Sequence, residues 1–371
     1  MSKLPIWADV VLIPLINVLL AFLAAGLVVA LIGENPLEAV EVLVRGAFGY
    51  DEGIGYTLYY TTNFIFTGLA VAVAFHAGLF NIGGEGQAYI GGLGVGLVCL
   101  ALDHLLPWWL LLPFAIAAGS LFGAAWAFIP GYLQAYRGSH VVITTIMFNF
   151  LASALMVYLL VNVLIQPGSM SPETRNILPE ATLPLMHEVF AVLGLSITQT
   201  PLNVSIFIAL LASVFVWLFI WKTRWGFAIR MIGFNESAAV YSGINPKRMV
   251  VVAMALSGAL AGLVAINEVM GAQERVGLDF VAGAGFTGIA VALMGRNHPV
   301  GIIIASLLFG ALFQGGAELA FEFSSITRDL VVVIQGLVIL FCGALAYMMK
   351  GPLERLFSLS AQAKQRKSEL K

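Results

Sequence analysis

The chain has 371 residues, of which 60% are hydrophobic and only 10% charged, with a formal net charge of −2. Soluble domains carry roughly 25% charged residues, so this composition, with a mean hydropathy of +0.96, excludes a water-soluble globule and a disordered chain. Two cysteines exclude a disulfide scaffold, and without an excess of basic residues there is no reason to expect nucleic acid.

The expected fold is an all-α integral membrane protein. Ten stretches of at least 16 residues lack Asp, Glu, Lys and Arg: 10–33, 53–84, 86–102, 104–136, 138–172, 189–221, 249–267, 280–295, 297–317 and 330–349. About 20 apolar residues cross a bilayer core as a helix, and each stretch holds one such run, so about ten transmembrane helices are expected. The first, Val10–Ile32, exceeds the ~7–15 apolar residues of a signal peptide. No small-residue cleavage site follows it, so it reads as a span. Alternation of the β-barrel kind is absent.

Between the spans, residues 33–53 are acidic (Glu34, Glu38, Glu41, Asp51, Glu52), and residues 166–203 carry Pro167, Pro172, Pro179, Pro184 and Pro201. Both read as short surface helices or loops for a docking partner, with plain connectors as the alternative. Basic residues set the orientation. With a cytoplasmic N-terminus, 14 of the 18 basic residues fall on the inside and only Arg45, Arg175, Arg275 and Arg328 outside. Ten spans then place the C-terminus inside as well. Residues 1–350 are expected to form the membrane domain, and 351–371 a polar cytoplasmic tail.

Residues 78–91 and 277–290 align without gaps at an offset of 199, with Gly78/Gly277, Leu79/Leu278, Gly84/Gly283 and Gly86/Gly285 identical. Each segment enters the shortest charge-free stretch of its half. Five spans separate them, so they lie on opposite faces, as in a 5+5 inverted repeat (about 10–165 and 204–349). Paired short, glycine-interrupted helices point to a transport path. Around the first, Asn81, Glu85 and Gln87 cluster where an apolar span ends, and an ionisable group at that depth suggests function. A tight turn capped by polar groups is the competing reading.

Asn63, Asn149, Asn162, Asn267, Glu268 and Gln314 are further polar residues in or near spans. Any one of them could be an ordinary interhelical contact. Glu268 requires a partner, for which Arg275 is the nearest cation in sequence. The expected path or gate comprises Asn81, Glu85, Gln87, Asn63, Asn267, Glu268 and Phe286. Gly92-x-x-x-Gly96, Gly119-x-x-x-Gly123 and Gly258-x-x-x-Gly262 are helix-packing patterns.

The inside segment 222–248 is different in character. Asn235 is placed to cap a helix beginning at Glu236 and stopping at Gly243. Ala238 and Ala239 would let it lie in a groove of a partner, with Arg230, Lys247 and Arg248 framing it. No P-loop, metalloprotease, serine-hydrolase or C-x-x-C motif occurs. No enzyme activity, metal or bound cofactor is therefore expected in this chain.

Three stretches carry a family resemblance: Trp225–Ile244 (WGFAIRMIGFNESAAVYSGI), Gly78–Gln87 (GLFNIGGEGQ) and Gly283–Gly310 (GAGFTGIAVALMGRNHPVGIIIASLLFG). The first resembles the coupling loop of permeases from bacterial ABC importers of the ribose and branched-chain amino acid group. Together they are similar to the simple-sugar and nucleoside branch, particularly purine nucleoside importers that work with a Bmp-type lipoprotein, and the likeness runs from about residue 10 to 350. It implies alternating access in the bacterial cytoplasmic membrane, with ATP bound on partner subunits. The implied partners are a second homologous permease, two cytosolic ABC ATPase domains and an extracytoplasmic Bmp-type lipoprotein. It makes Arg230, Asn235, Glu236, Ala238, Ala239 and Gly243 the ATPase-coupling residues. A simple-sugar permease of the ribose or galactose type, an ion-coupled secondary transporter and a membrane-embedded enzyme are the competing readings.

Overall fold

A computed structural model describes residues 12–192 and 194–348; the tail expected over 351–371 lies outside them. Its helices are α1 (Ile13–Ile32), α2 (Pro36–Phe48), α3 (Asp51–His76), α4 (Gly84–Leu102), α5 (Trp108–Arg137), α6 (Val141–Asn162), α7 (Met186–Val192), α8 (Ser205–Lys222), α9 (Arg224–Phe234), α10 (Glu236–Tyr241), α11 (Pro246–Gly262), α12 (Val264–Asn267), α13 (Ala284–Met294), α14 (Pro299–Glu322) and α15 (Arg328–Met348). Among the described residues there is no strand, only an isolated bridge between Leu185 and Asn203. Eight helices among the described residues are long and apolar enough to cross a membrane, one of them the continuous run Pro246–Ala272. Ala284–Met294 and Asp329–Val338 are shorter apolar helices. Each charge-free stretch thus contains one principal apolar helix, and the shortest stretch corresponds to the eleven-residue α13.

The chain packs as two units, residues 1–46 with 315–371 and residues 47–314. In the first, α1 buries Ala21, Ala25 and Val29 and exposes Leu15, Leu19, Leu23 and Leu27. Both sets repeat every four residues, so they occupy different faces of one helix. An exposed ridge of leucines is what a lipid-facing helix presents. Arg45 forks onto the Glu322 carboxylate at 2.7 and 2.9 Å.

In the second unit α3 is the central helix, buried from Thr61 to Ala74. Beside it α5 and α11 approach at backbone distance. A Cβ on Gly123 would run into the Gly258 carbonyl oxygen, and one on Gly262 into that of Gly119. Gly91 of α4 meets Gly262 in the same way. Lipid supplies no hydrophobic drive between helices, so close packing of small residues must hold them. The Gly92/Gly96 pattern is used differently: it receives the Phe280 ring and the Val276 side chain from the segment before α13.

Residues 166–203 are not a plain connector. The amides of Thr174, Ile177 and Leu183 donate to the carbonyls of Val276, Glu274 and Met270 at 3.0, 2.7 and 2.9 Å, forming a strap. Residues 33–53 are likewise mostly helical, as α2.

Asp103, just past α4, is buried, and Arg175 of the strap reaches its two carboxylate oxygens at 2.6 and 3.0 Å. Burial pushes the Asp103 carboxyl up, but the Arg175 hydrogen bond and charge, the Leu178 amide and His104 together hold it below its ordinary value. A depressed folded pKa contributes stability that is complete above the unfolded value of about 3.9. That contribution is lost as pH falls through the lower folded value. Thermal unfolding in detergent should therefore show a stability loss below about pH 4 that an Asp103→Asn variant lacks. Arg175→Ala should cost roughly 1–3 kcal/mol at neutral pH, the low end being expected because Arg175 is half-exposed.

Candidate functional site

Two breaks organise the polar residues. The first lies between α3 and α4. Asn81 is fully buried; its Oδ1 accepts from the Gly83 amide at 2.9 Å, and its Nδ2 donates to Gln87 Oε1 at 3.0 Å and Ser257 Oγ at 2.9 Å. Gln87 returns a bond to Asn81 at 3.1 Å, and Ser257 Oγ donates to the Ala70 carbonyl at 2.6 Å. Asn149 completes the turn, accepting from the Gly86 amide and donating to the Ile82 carbonyl, both at 2.9 Å. Asn81 and Gln87 therefore position the loop. Asn162 donates within its own helix, to the Tyr158 carbonyl.

Glu85, half-buried on the first turn of α4, accepts from the amides of Gly283 and Gly285, each at 2.8 Å. These are amino-terminal N–H groups of α13, which no helical carbonyl can satisfy and which favour an anion. The amino-terminal ends of α4 and α13 touch: a Cβ on Gly285 would overlap the Glu85 backbone. One turn further along α4, the Tyr89 hydroxyl accepts from the Asp279 amide at 2.9 Å. Phe286 belongs to the same junction and is 49% exposed.

The second break is in the helix after α11. It turns at Leu263 and continues through α12 into a π-helix, Glu268–Ala272. Single-turn π segments often sit at functional sites. Glu268 is buried there and accepts from Tyr59 Oη at 2.5 Å, Asn63 Nδ2 at 2.6 Å and Gln273 Nε2 at 3.2 Å. Behind it the bonds run in one direction. Asn203 and Ser205 donate to Asn267 Oδ1 at 2.9 and 2.8 Å, and Asn267 donates to Asn63 Oδ1 at 2.8 Å.

Arg275 is not the partner of Glu268. It pairs with Glu173 at 3.2 Å on the half-exposed strap. Neutral donors surround Glu268 instead, which avoids desolvating a guanidinium. The partners Tyr59, Asn203, Ser205 and Gln273 lie outside the set of residues expected from the sequence. Tyr59 alone left a trace, four residues before Asn63 and hence on the same helix face.

The expected coupling segment contains two helices. Thr223 caps α9, its Oγ1 accepting from the Gly226 amide at 3.0 Å. Asn235 Oδ1 accepts from the Ala238 amide at 3.0 Å and starts α10 at Glu236. Gly243, with φ of +77°, follows its end. Ala239 is fully buried against its own chain rather than offered to a groove, and Ala238 is half-buried. The outward residues are Phe234, Val240 and Tyr241, with Phe234 86% and Tyr241 94% exposed. Arg230 is half-buried, its Nε without a hydrogen-bond partner among the described residues. Those residues also hold no metal-binding cluster.

Residues 53–343 match a family model described as branched-chain amino acid transport system, permease component. The chain belongs to this permease family. It is 35% identical over 333 residues to the guanosine ABC transporter permease protein NupP of Bacillus subtilis, covering 89% of this chain and 92% of the relative. The nucleoside ABC transporter permease protein NupB of Lactococcus lactis is 34% identical over 335 residues, 89% and 90% of the two chains. The glucose ABC transporter permease protein TsgB13 of Haloferax volcanii is 34% identical over 329 residues, 88% and 86%. No solved structure matches.

If Glu268 acts as a hydrogen-bond acceptor, Glu268→Gln keeps an oxygen for Tyr59 and Asn63 while Gln273 turns to accept. Thermal unfolding of that variant should lie within about 1 kcal/mol of the parent. Glu268→Ala strands buried donors and should cost roughly 1–3 kcal/mol for each. Equal damage from both would mean that the negative charge itself is needed.

Proposed function

We propose that this chain is the membrane permease of an ATP-driven importer that carries a nucleoside by alternating access across the bacterial cytoplasmic membrane. The observation that carries this is its likeness over 89% of its length to a guanosine permease and a nucleoside permease. The equally long match to a glucose permease favours a simple sugar as the second reading. The proposed partners are a second homologous permease, two cytosolic ABC ATPase domains that bind the ATP, and an extracytoplasmic lipoprotein of the Bmp type that delivers the solute. This chain would itself bind no cofactor and catalyse no reaction. The lack of a P-loop supports an ATPase on a separate subunit.

The inverted repeat, about 10–165 and 204–349, is supported by α4 and α13. These helices begin at corresponding positions, but they abut through their amino-terminal glycines, so the two segments meet each other rather than lying on opposite faces. Under this reading both termini are cytoplasmic, and the path runs along the two breaks.

In vesicles holding both permeases and the ATPases, with the delivery protein and ATP, labelled guanosine should accumulate, and omitting the ATPases should abolish accumulation. Uptake that persists without them would favour an ion-coupled transporter. Accumulation of glucose but not guanosine would establish the second reading.

The apolar surface of α10, on a segment flanked by Arg224, Lys247 and Arg248 rather than inside a span, supports docking of the ATPase there. Val240→Asp with Tyr241→Asp should lower uptake at least roughly tenfold, the loss expected when one or two well-buried contacts are removed. Thermal stability should stay unchanged, because both side chains are exposed. Uptake at the parental rate would place the docking surface elsewhere.

A further inference from the structure

The segment between the π-helix and α13 is non-helical, yet it runs beside the interior of a span. Val276 packs on Gly96 of α4, Phe280 on Gly92, and the Asp279 amide reaches the Tyr89 hydroxyl. Tyr89 is thirteen residues before Leu102, the end of α4, or roughly 20 Å along the helix. Against a hydrocarbon core about 30 Å thick, Asp279 is held far from that end of the span.

Residues 278–286 have two faces. Phe280, Val281, Ala284 and Gly285 are buried, whereas Leu278, Asp279, Ala282 and Phe286 are exposed. Among the described residues the Asp279 carboxylate accepts no hydrogen bond and pairs with no cation; its recorded bonds are those of its backbone. The backbone adopts φ of +56° at Asp279 and +48° at Ala282, the left-handed region that non-glycine residues seldom enter. It is held there at two points one turn apart on α4, Tyr89 and Glu85.

Asp279 lies just over one turn from the start of α4, which is itself packed against α13. An unpaired carboxylate on irregular backbone beside that junction is not suited to face lipid. Such backbone is tolerated only when buried in protein or lining a water-filled cavity, and intramembrane ionisable groups face a bundle interior or aqueous path. The amino terminus of α13 cannot act as an anion site, because Glu85 fills it. We infer that Asp279 lies on the aqueous wall of the transport path and is a direct solute-binding residue, its carboxylate accepting hydrogen bonds from the hydroxyls of an uncharged solute. Phe286 offers an apolar ring on the same exposed face. This rests on the importer reading above and assigns the hydroxyl-bearing part of the solute to a residue outside the two hydrogen-bonded clusters.

Two measurements on the assembled importer test it. With the native cysteines replaced by serine, Asp279→Cys should react with a water-soluble, membrane-impermeant maleimide added to both sides of open membrane fragments. Absence of labelling would mean a dry site and overturn the inference. With guanosine as the probe, Asp279→Asn should lower uptake roughly tenfold or more, the effect of losing charge-assisted hydrogen bonds. ATP hydrolysis stimulated by the delivery protein should stay within about twofold of the parent, a change below the threshold for a lost hydrogen bond. Unchanged guanosine uptake, or equal loss of uptake and hydrolysis, would overturn the assignment of Asp279. If the parent importer moves no guanosine, the nucleoside reading fails instead; labelling still decides whether Asp279 is wet.

Discussion

The constraint on which this structure depends is that backbone N–H groups inside a membrane must find partners within the protein. Unbroken helices meet it by themselves. The starts of α4 and α13 cannot, because they are packed against each other and the first four N–H groups of a helix have no carbonyl to reach. Side chains fill the deficit: Asn81 for Gly83, Asn149 for Gly86, and Glu85 for Gly283 and Gly285. The polar residues of the first break are therefore engaged chiefly with the backbone, and this fixes the geometry of the junction. A carboxylate on two amide donors at a helix amino terminus is also electrostatically favourable, which explains a part-buried acid there.

The second requirement is close approach. For Glu85 to reach α13, α4 must pass near it while also packing against α5 and α11. Glycine at 91, 119, 123, 258 and 262 removes the side chains that would separate those backbones. The absence of a Cβ at Gly92 is equally specific, because the Phe280 ring occupies that space and so seats the segment that carries Asp279. Helix packing and the break are thus one arrangement: the glycines set the spacing within which the capping side chains reach their amides.

Much of this was legible in the residue order because it depends on local chemistry. Charges exclude themselves from spans, so the charge-free stretches located the main apolar helices, including the short α13. The Asn235 cap needs only its own next three residues, and it appears where expected. What could not be read depends on distant partners. Glu268 is satisfied from α3, more than 200 residues earlier in the chain, while the cation nearest in sequence turns outward to Glu173. The strap was equally opaque, since its hydrogen bonds run from an irregular segment to the end of the π-helix and the irregular residues after it, where no periodicity signals a partner. Asp279, an acid beside a predicted span, reads in the sequence as an ordinary loop residue, and only the packing of Phe280 and Val276 on α4 shows its depth.

The same packing joins α9 and α10, the expected coupling segment, to α3 and the turn after α13. A Cβ on Gly233 would strike the His76 carbonyl oxygen, so the end of α9 rests directly on the end of α3. His76 Nε2 donates to the Asn297 carbonyl at 3.0 Å, in the turn after α13, and its ring packs on Trp221, which in turn packs on His298. Phe234 and Asn235 then lead straight into α10. A bulky residue at position 233 would force α9 and α3 apart, whereas glycine keeps them in backbone contact. The end of α9 is therefore in backbone contact with α3, and α3 is hydrogen-bonded to the turn beyond α13.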